Sequence, residues 1–445
     1  MSEPTSFFDK WNTWIRNSVT FKIVSISILI LLMLIPTSMI EDLIWGRKYR
    51  QQDAIEEISG KWGNEQTITG PILTIPYNTY YKNDEDEIVT VKKFAHFLPQ
   101  ELLINGTVAP HVRYRGIYEA VLYATELNIA GNFKAPDFDT WKIRNEDVLW
   151  DEVSVSVGIT DMRGINEEIT LHWNDDTYSF GPGVPVFDVI GAGVSVAMNF
   201  NDTTHQKGRH QFDFDISLNG SQQLNFVPLG AETNVNLTSE WKHPSFNGQF
   251  LPDERNIDEN GFEASWKVLQ LNRNYPQQWI GGAFKPGNSL FGVELMLGVN
   301  QYQKNTRTAK YAVMIISLTF FLFFFMEIMN KKRIHPIQYL LVGFALSIFY
   351  SLLLAISEHG SFGLAYIVSS IAVILLIAMY VQGVLRSKKL TGFITGSLTL
   401  IYSFIFVILQ LQDYALLVGS IGLFIVLATI MYYTRNINWY NINKE

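Results

Sequence analysis

One apolar stretch near the N-terminus, a long polar run, and five further apolar stretches in close succession leave this chain few architectures. A helix needs about 20 predominantly apolar residues to cross a bilayer core. Phe21–Ile40, Tyr311–Met329, Ile337–Ile356, Gly363–Leu385, Thr391–Leu411 and Ala415–Tyr433 meet or approach that length. The pattern predicts a membrane protein of mixed class, with six transmembrane helices (one N-terminal, five C-terminal) and a large, mainly β domain inserted after the first helix. In these terms 1–20 is a cytoplasmic N-terminus, 21–40 the first span, 41–308 the exported domain, 309–433 a five-helix bundle and 434–445 a cytoplasmic tail.

Orientation follows from the short connections. Lys331, Lys332 and Arg333 lie in one, Arg386, Lys388 and Lys389 in another, and Arg435 and Lys444 in the tail, while Ser357–Phe362 and Gln412–Tyr414 hold neither Lys nor Arg. Such residues near membrane ends stay cytoplasmic, which puts both termini inside and 41–308 outside. Lys10, Arg16 and Lys22 agree; Arg47, Lys48, Arg50, Lys304, Arg307 and Lys310, at the ends of the long loop, run against the rule. The exit Pro36-Thr37-Ser38-Met39-Ile40-Glu41 is no small-x-small cleavage site, so the first stretch reads as an uncleaved anchor.

The polar run carries 22 Lys+Arg against 36 Asp+Glu, a net of −14. An acidic domain makes a poor nucleic-acid binder and is repelled by anionic lipid, so it should stand off the membrane surface. The chain has no cysteine, which excludes disulfides, thiolate catalysis and Cys-ligated metals. Within the run the period is two: Phe212, Phe214, Ile216 and Leu218 alternate with Gln211, Asp213, Asp215 and Ser217. Asn219-Gly220 then reads as a turn into a second strand through Leu224 and Phe226. Val153–Ile159, Val194–Phe200, Thr233–Trp241, Phe262–Leu271 and Phe291–Val299 are further strand candidates, and the whole reads as a β-sandwich or two packed β units.

Several segments taken in order point to a family: Gly70–Pro76, Arg115–Tyr118, Asp161–Gly164, His243–Pro252, Thr308–Tyr311, Ile334–Gly343, Ser357–His359 and Thr434–Tyr440. With them the chain resembles the CreD family of inner-membrane proteins, also called cell-envelope integrity proteins, over nearly its whole length. The resemblance implies a Gram-negative inner membrane with residues 41–308 in the periplasm. It also implies a link to envelope stress, to a two-component regulatory system, and to colicin or β-lactam susceptibility. It supplies no catalytic residue and no transported substrate.

The residues themselves advertise little chemistry. Glu327 is the one acid well inside a span, and a snorkelled side chain paired with Lys331 is the favoured reading. Gln382 and Gln410 sit near helix ends, and Gly392-x-x-x-Gly396 offers close helix packing. Ser357-Glu358-His359 lists triad residue types, but consecutive residues rarely reach triad geometry, so a structural or interaction role is expected, with Glu358 and His359 pairing to the base of the exported domain. His205 and His210, with Asp202 and Asp213 nearby, look metal-like, yet surface histidines in a hairpin connection fit better. Gly191-Ala192-Gly193 begins a dinucleotide loop that Val196 breaks. His243–Pro252 should pack Phe246, Phe250 and Leu251 rather than dock a partner, and Trp439 and Tyr440 suit the interfacial belt.

No catalytic, cofactor-binding or metal residue is therefore assigned. The expected function is non-enzymatic support of envelope integrity or the envelope-stress response through the exported domain. A small-solute or lipid transporter and a periplasmic envelope-modifying enzyme are the alternatives. Expected partners are membrane lipid and a periplasmic or inner-membrane protein.

Overall fold

The computed structural model describes residues 19–201, 206, 208–297, 301–330, 332, 334–411 and 414–435. Two compact units divide the chain, Gln51–Gly298 and Met1–Arg50 together with Val299–Glu445. Among the described residues six helical segments are long and apolar enough to cross a membrane, one before and five after the β-rich unit.

The first helix, α1 (Val19–Trp62), is 44 residues long and continues well past the apolar stretch. Its polar second half, from Glu41 onward, holds no proline, and the isolated Gly46 and Gly60 do not break it, so it runs to Trp62-Gly63. Pro36 sits inside, and the Thr37 hydroxyl donates to the Met33 carbonyl at 2.5 Å beside it.

The β unit comprises β1 (Gln66–Lys82), β2 (Ile88–Phe97), β3 (Glu101–Arg115), β4 (Tyr118–Phe133), β5 (Val153–Ile159), β6 (Thr170–Trp173), β7 (Asp176–Ser179), β8 (Gly181–Pro182) and β9 (Gly193–Met198). The chain continues through β10 (His210–Ser221), β11 (Gln223–Phe226), β12 (Glu232–Ser239), β13 (Pro244–Gly248), β14 (Glu254–Asp258), β15 (Gly261–Leu269), β16 (Gln278–Ile280) and β17 (Phe291–Leu295). One sheet runs β13-β17-β11-β1-β5-β9-β8, with β2 on β1 and β16 on β2; the other runs β14-β15-β12-β3-β4-β10-β6-β7. Both are mixed, since β1 pairs with β11 and β3 with β12 in parallel. Leu73, Ile75, Val155 and Val157 of the first sheet share one continuous core with Ile104, Ile129, Phe214 and Val235 of the second. Two inner faces burying one core is the logic of a sandwich.

The alternation in β10 is as the sequence predicts, with His210, Phe212, Phe214, Ile216 and Leu218 buried. The expected hairpin after it is not there. β10 stays paired to β4 through Ser221↔Leu122, and Gln222, at φ 60°, turns the chain into the opposite sheet. Gly220 serves packing instead of a turn: a Cβ there would lie 2.3 Å from the Tyr123 hydroxyl.

In the membrane unit, α2 (Gln301–Lys310) leads into α3 (Ala312–Met329), followed by α4 (Pro336–Ser357), α5 (Phe362–Leu385), α6 (Lys388–Gln410) and α7 (Ala415–Thr434). α2 and α3 together make one span, Gln301–Met329.

Candidate functional site

The sequence of α1 gives no apolar stripe, because its membrane half is apolar all round. The structure selects one. Ile26, Met33, Thr37, Ile40 and Ile44 are buried, and their spacings of seven, four and three residues place them on a single helix face. Lys22 and Arg47 continue that face in both directions. Midway, Met33 lies against Gly343 of α4, where a Cβ would sit 2.6 Å from its sulfur.

Each end of the face carries an ion pair to the bundle. Lys22 Nζ donates to Glu327 Oε1 at 2.7 Å. The Tyr339 hydroxyl donates to Oε2 at 3.2 Å, and the Ile334 amide to Oε1 at 3.2 Å. Glu327 is 4 % exposed, so the expected snorkelled acid is instead a buried carboxylate with three donors. Lys331, its expected partner, lies outside the described residues. Burial explains the change: a carboxylate removed from water at a membrane edge needs a full set of donors, and α1 and α4 bring them.

At the other end Arg47 Nε approaches Glu358 Oε1 at 3.6 Å, and the Tyr302 hydroxyl donates to the same oxygen at 3.0 Å. Ser357 Oγ accepts from Asn305 Nδ2 at 2.8 Å and donates to the Leu354 carbonyl at 2.9 Å. The hydroxyl proton is thus committed to backbone, and the His359 amide closes the turn onto the Ile356 carbonyl. Ser357-Glu358-His359 is a helix-end clamp without triad geometry, and the partners of Glu358 belong to membrane helices rather than to the base of the exported domain. The basic residues that ran against the charge rule are engaged here too. Lys48 lies 4.9 Å over the Trp45 ring, Lys304 5.5 Å over Phe362, and Arg307 donates to the Leu411 carbonyl at 3.2 Å.

Deeper in the bundle the rings of Tyr366 and Tyr402 flank Phe349 at 5.3 and 4.8 Å, with Tyr350 at 4.9 Å. Tyr366 donates to the Tyr402 carbonyl at 2.9 Å. The hydroxyls of Tyr350, Tyr402 and Ser369 are buried without a hydrogen-bond partner among the described residues. Gln382 accepts from Thr391 Oγ1 at 2.8 Å. Gly392 and Gly396 have nothing within 4 Å of a built Cβ, so this motif packs no described helix.

In the β unit, His210 is 1 % exposed and stacks on both Trp173 and Phe200, at 5.2 and 5.1 Å, in a three-ring cluster. It is a core residue, not the surface histidine expected, because the period-two pattern of β10 begins at His210 itself. Asp213 points to the opposite, exposed face. Asp202 and His205 lie outside the described residues, as do Trp439 and Tyr440, and no metal-holding cluster occurs among those described. Gly193 opens β9, so Gly191–Gly193 leads into a strand where a dinucleotide site needs a helix. Within His243–Pro252, β13 pairs with β17; Phe246 packs edge-on to Trp266 and Phe250 to Phe291, as expected, while Leu251 stays exposed.

Three arrangements escaped sequence reasoning. Thr74 Oγ1 and His96 Nδ1 are 3.0 Å apart, and His96 Nε2 stands 3.9 Å from Asp188. Burial holds the imidazole down to about 4, leaving it neutral, and both Thr74 and His96 are sealed from solvent. The order of groups imitates a triad where no substrate can reach it. Second, an open groove of about 510 Å³ lies across β3, β12, β15 and β14, lined by Thr107, Thr238, Glu240, Asn256, Asp258 and Glu263.

The third secures the far end of α1. The Trp62 indole donates to the Tyr123 carbonyl at 3.1 Å, Arg163 to the Gly60 carbonyl at 2.8 Å, and the Asn64 amide to Asp161 at 3.0 Å. The Arg163 guanidinium, then the Asn64 and Arg163 amides, hold the Asp161 carboxyl down to about 2. A carboxyl lowered on folding stabilises above its unfolded value near 4, and that contribution fades as pH falls through about 2. Asp161→Asn should therefore cost roughly 2 kcal/mol at pH 7. The gap to the native chain, read by tryptophan-monitored melting of the full chain, should close from about pH 4 downward; a gap independent of pH would remove the carboxylate from this account.

Residues 18–440 match the family model described as Inner membrane protein CreD. Inner membrane protein CreD of Escherichia coli (strain K12) is 33 % identical over 436 residues, covering 96 % of this chain and 95 % of that protein. The segments that carried the resemblance now have places: Asp161–Gly164 at the end of α1, Ile334–Gly343 around Glu327 and Met33, Ser357–His359 at Arg47. With a match spanning both the membrane helices and the β domain, the chain belongs to the CreD family.

Proposed function

We propose that this is a multi-pass inner-membrane protein that supports cell-envelope integrity without catalysis. Residues 41–308 are periplasmic and both termini cytoplasmic. The β domain engages an envelope component or protein partner, and α1 passes that engagement to the membrane helices. The observation that carries this reading is α1 itself. One uninterrupted helix is ion-paired to the bundle at Lys22 and Arg47, and its last turn is hydrogen-bonded into the β domain at Gly60 and Trp62. Glu327, Ser357 and Glu358, the groups at the bundle ends that the sequence singles out, all serve in this clamping.

The groove across β3, β12, β14 and β15 supplies the engaging surface. Hydroxyls, amides and the carboxylates of Glu240, Asp258 and Glu263 line it beside apolar Val108, Ala109 and Phe262, with no basic residue. That chemistry suits a cationic or amine-bearing, hydroxyl-rich component. Photo-crosslinkers at Thr238 and Asn256 in living cells should capture a reproducible envelope component, and capture should fall when Glu263→Lys reverses the local charge. Labelling no stronger than at Leu251, outside the groove, would sink the reading. Sidedness has its own test: in this cysteine-free chain, Asp84→Cys should react with an impermeant maleimide from the periplasmic side.

One observation favours a second reading. The unpartnered hydroxyls of Tyr350, Tyr402 and Ser369 form a polar interior among α4, α5 and α6, as a transporter of small polar solutes requires. Solute uptake abolished by Tyr350→Phe with Tyr402→Phe, with the crosslinks intact, would promote it.

A further inference from the structure

We propose that Asn225, Asn247 and Glu294 hold a hard divalent cation of the calcium kind on the outer face of the first sheet, with Glu65 at its rim. The period of two along each strand places these groups. Phe291, Val293 and Leu295 of β17 point into the core, so Gly292 and Glu294 take the opposite face. Gly292 is paired with Asn225 of β11 on one side and with Asn247 of β13 on the other. Leu224 and Phe226 lie in the core and Phe246 packs against it, so both asparagines share the outer face with Gly292.

An Asn-Gly-Asn row across three strands leaves an opening between two carboxamides. Neighbouring strands lie about 4.8 Å apart, so the two asparagines start about 10 Å apart with no side chain between them. Asn225 Oδ1 turns toward that gap: a Cβ on Gly292 would lie 2.7 Å from it. Asn225 is 5 % exposed, and the Oδ1 atoms of both asparagines are buried without a hydrogen-bond partner among the described residues. The other half of the Asn225 carboxamide is engaged, since Nδ2 donates to Gln223 Oε1 at 3.4 Å. A buried carbonyl oxygen with nothing to bind is costly, and here two of them border one gap.

Charge comes from the next row. Glu294, two residues along β17 from Gly292, is paired with Gln223 and Ser245. Burial first, and then the Glu294 carboxylate, raise the carboxyl of Glu65 above its usual range, so the two acids lie close to each other. Neither has an ion-pair partner among the described residues. No three acids or histidines gather here; asparagine completes the set instead. Two carboxylates beside two carbonyl oxygens make an all-oxygen donor set, which suits calcium or magnesium and not the softer transition metals. Calcium fits better, because it accepts flexible coordination, whereas strands fixed by their ladder cannot close into the small octahedron that magnesium demands. Every group belongs to the β unit, and the site is independent of the groove across the second sheet.

The test uses the full chain in phosphatidylcholine nanodiscs, stripped with EGTA and melted under tryptophan fluorescence with and without calcium chloride. With two charged ligands and an exposed rim at Glu65, the site belongs to the weaker class, with a Kd of about 0.1–1 mM. Calcium should raise the melting temperature and saturate in that range, and magnesium chloride should raise it less. Glu294→Gln and, separately, Asn225→Ala should lose most of the calcium shift, while Glu240→Gln, in the groove of the other sheet, should keep it. Each variant is compared with its own melting in EGTA, so a general loss of stability cancels. No calcium shift up to about 10 mM, an equal shift with magnesium, or a full calcium shift in Glu294→Gln would overturn the proposal.

Discussion

Lys22→Met should destabilise the membrane unit by about 3 kcal/mol, more than Glu327→Gln does. The asymmetry follows from burial. Glu327 is 4 % exposed, whereas the Lys22 side chain keeps 31 % of its surface. Without Lys22 a carboxylate remains in a low-dielectric site, with the Tyr339 hydroxyl and the Ile334 amide as its remaining donors among the described residues. Without the charge of Glu327, the lysine can turn to water, and a glutamine still accepts from both neutral donors. The double variant Lys22→Met, Glu327→Leu should recover much of the loss, since neither charge is then stranded. Thermal melting in nanodiscs followed by tryptophan fluorescence reads all three proteins. A Lys22→Met chain as stable as the native one would return the partnership to Lys331.

The second large effect belongs to the β core. Trp173 is fully buried, its ring within 5.2–6.4 Å of those of His210, Phe133, Phe200 and Phe212. Trp173→Ala removes most of that contact and leaves a cavity that the surrounding rings are too rigid to fill. A cost of about 3–5 kcal/mol is expected. In a domain of this size it lowers the melting temperature by about 10 °C. Trp173→Phe should cost less, because the phenyl ring keeps part of the stack and discards an indole N–H that has no partner among the described residues. If alanine and phenylalanine cost the same, the ring cluster is not what holds this end of the sandwich.

What could be read from the chain, and what could not, divides along contrast. In β10 a charged or polar residue marks every outward position, so the buried face announces itself. The six apolar segments stand out for the same reason against the polar run between them. α1 offers no such contrast in its membrane half: Ile26 and Ile28 are equally apolar, yet one is buried and the other exposed. Only the identity of the neighbours separates them. Glu327 was visible as an anomaly, but its partner lies 305 positions away, so the nearer Lys331 drew the assignment. The spacing of His210 from His205 suggests a surface pair, but its phase in β10, in step with Phe212 and Phe214, is what decides its burial. The groove was invisible for a further reason: β3, β12, β14 and β15 bring its lining together from four separate stretches.

The separation of Lys22 from Glu327 also sets a timetable for biogenesis. At 5–20 residues per second, about 15–60 s of translation separate the two halves of this clamp. Throughout that interval α1 must wait in the bilayer while the β domain emerges and folds. Lys22 can pass the delay with its amine in water, since the side chain is long and lies at the membrane edge. Glu327 has no comparable refuge, but it is made last and meets a partner already in place. The order of synthesis thus spares the costlier charge from entering the membrane alone.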